Sequence, residues 1–447
     1  MGPNVAGQRP LWWHNATLRT TAAVAGGWEM YERVHRRTER DTSLLAAVRT
    51  ERLAAVLDLV HEHSGQLRRG VLSNRSSPWR ALARLPILTK RDFVSRQAEL
   101  RTGLIADEDV LRVHTSGTTG EPVTIEHDDG HLVHGVADTL RMYAAYGVQP
   151  GLRLLRVTCD KRHGLCHFGS SLVSGSYLRI NVAKIDDGND DFVNRLVAAF
   201  APQVLWGQPM ELLVLGSKIA EGRLSSLPTP ELVLSHGDTV DHQTRAALAA
   251  VLCAPVRDLF GLQEFGQVAW ECPEETGTYH LNEEKVHVER DEDGRLLMTS
   301  LVNKATMIVR YRPEDQAELL DEPCSCGRAL RRLRGIQGRQ RGFVADRLEN
   351  LVNVKPLQLY LESLPLARWQ VRQRVAGRLE VRVAPLPARE AERDTVDTSR
   401  IAAMLNLDEV SVEWVDMAQL LTTSGKSVQF DLHVTQRRLA EHLLERS

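Results

Sequence analysis

The sequence predicts an α/β protein: a large N-terminal unit with a parallel-rich sheet, followed by a small C-terminal α+β unit. Three observations carry this expectation. Between about 108 and 310, short β-rich apolar runs alternate with helical stretches, as strands joined by crossover helices do. After Gly338-Arg339 the pattern changes to short strands interleaved with helices. The 447 residues also exceed a typical domain's length about threefold.

Residues 28–68 carry Leu44, Leu45, Val48, Leu53, Val56, Leu57 and Val60 at three- and four-residue spacing among Arg, Glu and His, so they read as surface helices. In Leu85-Pro86-Ile87-Leu88-Thr89-Lys90, Pro86 restricts the backbone and Thr89 is placed to cap a helix starting near Arg91. Strands are expected at Val110-Val113, Leu154-Thr158, Leu178-Val182, Val204-Leu205, Leu232-Ser235 and Val256-Phe260. Leu296-Ser300 and Met307-Tyr311 look like an antiparallel or edge pair. A polar, Arg-rich stretch at 328–341 reads as the passage to the small unit. There, strands are expected at Val352-Val354, Trp369-Arg374, Leu379-Val383 and Val410-Trp414, with helices at 355–363 and 395–405. The division falls at 1–338 and 339–447.

Composition narrows the partners. Hydrophobic residues make up 43% and charged ones 26%, and 56 basic side chains nearly cancel 58 acidic ones to leave net −2. That balance gives no general reason to expect nucleic acid, which is bound through many Lys and Arg contacts to phosphate. No apolar run approaches the roughly 20 residues needed to span a bilayer, and Ala22-Ala23-Val24-Ala25-Gly26-Gly27 is too short for a signal core. A small-molecule partner, no membrane and a cytoplasmic location are the expectations; composition is silent on oligomeric state. Six cysteines in such a chain do not read as a disulfide framework.

His114-Thr115-Ser116-Gly117-Thr118-Thr119-Gly120-Glu121-Pro122 follows a predicted strand directly. Its glycines allow close backbone approach and its hydroxyls can bond phosphate oxygens. No Lys-Ser/Thr follows Gly120, so it is not the G-x-x-x-x-G-K-[ST] nucleotide loop. Instead, T-S-G-T-T-G-x-P resembles the signature of the adenylate-forming superfamily of acyl-coenzyme A ligases and adenylation domains. Phe260-Gly261-Leu262-Gln263-Glu264 resembles its Y-G-x-T-E element, with Phe for Tyr and Gln for Thr. Tyr311-Arg312-Pro313-Glu314-Asp315 resembles Y-R-x-G-D, Gly338-Arg339 the G-R at the domain junction, and Thr423-Ser424-Gly425-Lys426 the C-terminal S-G-K. Glu271-Cys272, Gly277-Thr278-Tyr279-His280, Cys324-Ser325-Cys326-Gly327-Arg328, Leu351-Val352-Asn353-Val354-Lys355-Pro356 and the Leu85–Lys90 segment resemble the phenylacetate-coenzyme A ligase branch.

The resemblance implies attack of a substrate oxyanion on the α-phosphate of ATP, with pyrophosphate leaving and an acyl adenylate remaining. It implies that Thr115, Ser116, Gly117, Thr118, Thr119 and Gly120 hold the departing phosphates, with Thr118 taking part in the transfer. Glu264 would bind Mg²⁺, a hard cation that prefers carboxylate and phosphate oxygen. Asp315 suits a ribose diol with Arg339 beside it; Gly237, Asp238, Asp258 and Phe260 would border the adenine. Lys426 would stabilise the pentavalent transition state. His167, Phe168 and Gly169 occupy the stretch that lines the acyl pocket in the resembling family, with Gly261 closing it and Phe168 and Phe260 sandwiching an aromatic acid.

Cys272, His280, Cys324 and Cys326 supply three thiolates and one imidazole, the ligand set of a closed structural zinc centre. The C-x-C pair followed by Gly327 resembles a metal knuckle, and the fold must bring Cys272 and His280 to it. One departure concerns the hinge. Where the family often has Asp two residues after the junction Gly-Arg, this chain has Arg341, and Leu351 replaces a glycine used with coenzyme A. Three functions therefore stay open: a ligase adenylating an aromatic carboxylate, with coenzyme A as one acceptor; a diazotase-type enzyme activating nitrite toward an aryl amine in natural-product biosynthesis; and a non-catalytic relative.

Overall fold

The structure, a computed structural model, describes residues 11–63, 77–114, 124–159, 163–171, 173, 175–237, 240, 242–313, 315–337, 343–364, 366–385, 396–415 and 430–431. A hairpin comes first, β1 (Leu111–His114) antiparallel to β2 (Thr124–His127). Next are β3 (Arg153–Thr158), β4 (Cys166–Ser171), β5 (Gly175–Asn181), β6 (Val204–Gly207), β7 (Leu232–His236) and β8 (Val256–Leu262). They are followed by β9 (Gly266–Glu271), β10 (Thr278–Leu281), β11 (Val286–Arg290), β12 (Leu296–Ser300), β13 (Gln316–Leu320) and β14 (Arg332–Gln337). One ten-stranded sheet runs β13-β14-β10-β9-β8-β7-β6-β3-β5-β4. Its centre, β5-β3-β6-β7-β8, is parallel.

The parallel centre follows from the alternation. Helices Asp190–Phe200, Pro209–Ala220 and His242–Leu252 cross between successive strands and bury Val193, Val197, Leu212 and Leu248 against Leu155, Leu205 and Val233. The opposite face is covered by Asp129–Ala145, whose Val136, Leu140 and Tyr143 pack on Leu154, Val204 and Leu234. Helix Thr42–His63 also buries Leu53 and Val60 completely. Its apolar stripe is thus an inner face, and only its charged side is surface. Thr89 caps Lys90–Ser95 in a reciprocal box with Asp92, which is why the helix begins where the sequence indicated.

The small unit holds β15 (Phe343–Ala345), β16 (Leu351–Asn353), β17 (Leu366–Val375), β18 (Arg378–Pro385), β19 (Glu409–Trp414) and β20 (Phe430–Asp431). Its four-stranded sheet is ordered β19-β18-β17-β20, with helices Lys355–Glu362 and Thr398–Leu405. Val371, Val381, Leu357 and Ile401 form its own core. Among the described residues no helix is long and apolar enough to cross a membrane.

Several expectations need correction. β1 pairs only with β2, outside the parallel sheet. Met307-Tyr311 is not a regular strand; it touches β12 through mutual backbone hydrogen bonds of 2.8 Å between Met298 and Tyr311. The Arg-rich passage at 328–341 contains β14, a strand of the main sheet. Its Leu333 is fully buried, while Arg332 and Arg334 turn to Glu275 and Glu318. The proposed division at 338/339 lies outside the described residues.

Candidate functional site

Three sequence segments meet at the carboxyl end of β8. The chain leaves β8 through Gln263 and Glu264 and returns as β9. Glu264 is half-buried, and its Oε1 accepts a hydrogen bond from Tyr311 Oη at 3.1 Å. Tyr311 is fixed by its neighbours: Leu88 N donates to Arg310 O at 3.0 Å and Arg312 N to Leu88 O at 2.9 Å. The Leu85–Lys90, Phe260–Glu264 and Tyr311–Asp315 elements, far apart in sequence, therefore form one structure. Asp315 follows, half-buried.

The β1–β2 hairpin is tied to the same turn. His127 Nε2 donates to the Gln263 carbonyl at 3.0 Å, and Asn303 Nδ2 lies 3.4 Å from His127 Nδ1. Burial holds His127 down at about 4, so the ring stays neutral. Thr115, Ser116, Gly117, Thr118, Thr119 and Gly120 lie outside the described residues, in the connection from β1 to β2, as do Asp238, Arg339 and Lys426. Gly237 follows β7 with φ +86°, a left-handed conformation that glycine tolerates. Asp258 is buried, and its Oδ2 accepts from Tyr279 Oη at 2.7 Å. Burial pushes its carboxyl up to about 7, partly offset by that hydrogen bond.

The expected aromatic sandwich does not form. Phe168 sits on β4, at one edge of the sheet, and Phe260 on β8, five strand positions away, about 24 Å at the usual spacing. Phe168 is exposed and meets Phe200 edge-on at 6.0 Å, while Phe260 joins the core around Leu88 and Phe93. His167 and Gly169 are on β4 with Phe168, whereas Gly261 is on β8, so these residues do not line one compact pocket. Two residues that sequence reasoning missed stand on the intervening strands, Arg156 and Arg179. Their signal was an arginine set in the apolar runs Leu-Leu-Arg-Val and Tyr-Leu-Arg-Ile. The buried pairs Arg141–Glu284 and Lys285–Asp138 were also missed; these lie too far apart in sequence for local patterning to join them.

The metal-ligating set does assemble. Cys272 follows β9, His280 lies on β10, and Cys324 and Cys326 precede β14, so adjacent strands deliver all four. Their ligand atoms lie within 4.8 Å of one another. Cys272 Sγ is 3.7 Å from Cys324 Sγ, and Cys326 Sγ is 3.2 Å from His280 Nε2. A zinc tetrahedron with bonds of about 2.3 Å has sulfur–sulfur edges of about 3.8 Å, so the cluster fits a tetrahedral ion. Gly327 N donates to Cys324 O at 3.0 Å and closes the knuckle. Burial pushes the Cys272 thiol up to about 12, and burial beside Arg328 keeps His280 neutral at about 3. A bound cation would reverse the first effect, because a coordinated thiol is deprotonated.

In open sheets with a parallel centre, ligands bind beyond the carboxyl ends of the strands, where the Tyr311–Glu264 contact lies. No family model matches the chain. It is similar to the phenylacetate-coenzyme A ligase of Thermus thermophilus, 28% identical over 366 residues covering 75% of this chain and 80% of the relative. With the enzyme of that name from Escherichia coli it is 26% identical over 344 residues, 70% and 75% of the two chains. In fold it resembles 2-hydroxyisobutyryl-CoA ligase in complex with 2-HIB-AMP and CoA, with a TM-score of 0.60 at 17% identity, covering 92% of this chain and 94% of that one. Over about three quarters of its length the chain is thus similar in sequence to phenylacetate-coenzyme A ligases, and it shares its fold with an acyl-coenzyme A ligase.

Proposed function

We propose that this protein is an ATP-dependent, AMP-forming ligase that activates a small aromatic carboxylate as its acyl adenylate. The observation that carries this reading is the convergence at Glu264, where the Tyr311 hydroxyl joins two motif segments at the carboxyl end of a parallel strand. A half-buried carboxylate there suits Mg²⁺, which would neutralise phosphate charge when bound. In this reading residues 1–338 bind ATP and substrate, and residues 339–447 carry Lys426 to them. Thr115 to Gly120 hold the β- and γ-phosphates, Asp315 and Arg339 the ribose, and Gly237, Asp238, Asp258 and Phe260 border the adenine.

The substrate carboxylate oxygen forms a bond to the α-phosphorus as the bridging bond to pyrophosphate breaks. Lys426 places its ammonium where negative charge gathers, a contribution greater in the transition state than in the ground state. Cys272, His280, Cys324 and Cys326 hold a structural zinc that pins β9, β10 and the approach to β14 together. Reduced thiols there fit a cytoplasmic setting.

The test is pyrophosphate release from MgATP with a panel of aryl acids, with and without coenzyme A, and with aryl amines plus nitrite. An aryl acid is expected to trigger release without coenzyme A, and Lys426→Ala to lower that rate about a hundredfold with ATP affinity little changed. Equal release by the variant and the unaltered protein would remove Lys426 from the chemistry. Release that needs nitrite and an aryl amine would move the chain to the diazotase-type reaction. Metal analysis should give about one zinc per chain, lost in Cys324→Ser; a zinc-free folded protein would dismiss the structural ion.

A further inference from the structure

The sheet face between β8 and the β4 edge carries a cationic and aromatic surface with no role so far. Arg156 on β3 and Arg179 on β5 are direct partners in the parallel register, so two like charges stand one strand spacing apart, about 4.8 Å. Like charges directly opposite destabilise a sheet unless something neutralises them. Among the described residues neither guanidinium is in an ion pair, and Arg179 Nε is buried without a hydrogen-bond partner. Arg156 instead lies over the Tyr177 ring at 5.5 Å.

The neighbours continue the surface in register. His167 pairs with Arg179, and Gly169 with Tyr177. The absence of a side chain at Gly169 leaves room for the Tyr177 ring, since a Cβ would fall 2.4 Å from it and the ring would have to move. On the other side Trp206 is the register partner of Arg156, and its ring lies 5.4 Å from that of His236 at the end of β7. A continuous row thus leads from the β8 end, where Glu264 stands, past His236 and Trp206 to the two arginines. β3 is three strand positions from β8, about 14 Å. Allowing for the length of an arginine side chain, that span suits one aromatic ring with acidic groups at opposite ends.

We propose that Arg156 and Arg179 form an anion site for the substrate itself, which is an aromatic acid bearing a second anionic group distal to the one activated. This inference rests on the proposed ligase function and names its substrate class. Two guanidiniums with free donors bind a carboxylate through charge-assisted, forked hydrogen bonds, while Trp206 and Tyr177 supply flat apolar walls. The same chemistry would accept a phosphate of coenzyme A, so the test separates the two sources.

Binding to the full chain is measured by calorimetry, without turnover, for phenylacetate, its 3- and 4-carboxy derivatives, and coenzyme A. At least one diacid is expected to bind about tenfold or more tightly than phenylacetate. Arg156→Gln and Arg179→Gln should each erase that preference while leaving MgATP binding and the melting temperature intact. Arg156→Lys, which keeps the charge, should retain part of it and shows that loss in the glutamine variant is not misfolding. Equal binding of mono- and diacids by the unaltered protein, or a preference that survives both glutamine variants, overturns the proposal. So does arginine-dependent binding of coenzyme A with no diacid preference. A diacid preference in a protein that releases no pyrophosphate would reject the ligase reading alone.

Discussion

Two regions of the main unit treat charge in opposite ways. Between helix Asp129–Ala145 and the turn after β10, buried charges come in matched pairs. Arg141 donates to both oxygens of Glu284, at 3.0 and 2.5 Å, and Thr38 donates to the same carboxylate. Lys285 Nζ lies 2.6 Å from Asp138 Oδ2, while Arg49 and Arg331 hold Glu283 at 2.9 and 2.7 Å. On the sheet face at β3 and β5, by contrast, Arg156 and Arg179 stand together with no carboxylate paired to either among the described residues. Removal from water makes an unpaired ion intolerable, so the interior must pair its charges. Cations left unpaired beside solvent are free to be used by a ligand.

That contrast predicts very different costs for losing an arginine. Burial alone would raise the Glu284 carboxyl, but Arg141 overrides it and holds Glu284 well below the usual carboxylate range. Arg141→Met strands that charge in the interior and should destabilise the main unit by about 3–5 kcal/mol, read as a lower denaturation midpoint. Adding Glu284→Gln should recover much of the loss. Arg156→Gln, at the exposed end of the comparison, should change stability by no more than about 0.5 kcal/mol. Similar losses from the two single variants would erase the distinction between the regions.

A second, smaller effect sharpens it through pH. Asp258 is a buried carboxyl whose Oδ1 has no hydrogen-bond partner among the described residues, pushed up to about 7 by burial. A carboxyl raised in the folded state stabilises the fold fully below its ordinary value. That contribution is lost as pH climbs from about 4 to 7 and does not return above it. Asp258→Asn removes the ionisation and keeps an oxygen for the Tyr279 hydroxyl. Its stability relative to the unaltered protein should therefore rise by a few kcal/mol between about pH 4 and pH 8. An unchanged difference across that range would mean that Asp258 is not held protonated.

How much of this was legible in the sequence depends on the range of the cause. Thr89 and Asp92 cap a helix within three residues, and the capping pattern is visible as written. The small unit's strands and helices follow local periodicity and appear where expected. Cys272, His280, Cys324 and Cys326 were identified by ligand chemistry, although the strand pairing that unites them was not. β14 was missed because Arg332 and Arg334 gave a core strand the composition of a linker. The Phe168–Phe260 pairing failed because strand order, unlike strand position, is a nonlocal property. Arg156 and Arg179 were passed over for the same reason: each is one arginine in an apolar run, and only the parallel register makes them a pair.

The smallest predicted effect on turnover concerns Tyr311, at the junction of the motif segments. Its hydroxyl donates to Glu264 at 3.1 Å, while its ring meets Phe93 edge-on at 5.7 Å. Tyr311→Phe keeps the ring and removes only the donor. The core around Phe93 should hold, so the melting temperature should stay nearly unchanged. Glu264 would lose the bond that orients it, and one hydrogen bond to a charged group contributes about 1.5–3 kcal/mol when desolvated but less at a half-buried site. A three- to tenfold drop in pyrophosphate release at limiting Mg²⁺ is therefore expected, about 0.7–1.4 kcal/mol of barrier. Excess Mg²⁺ should restore much of the rate, because a poorly oriented carboxylate binds the ion more weakly without being removed. A loss that Mg²⁺ does not relieve would assign Tyr311 to the substrate instead of to the carboxylate proposed to bind Mg²⁺. An unchanged rate at every Mg²⁺ concentration would show that the Tyr311–Glu264 bond holds the fold alone and belongs with Arg141 and Glu284 on the structural side of the comparison.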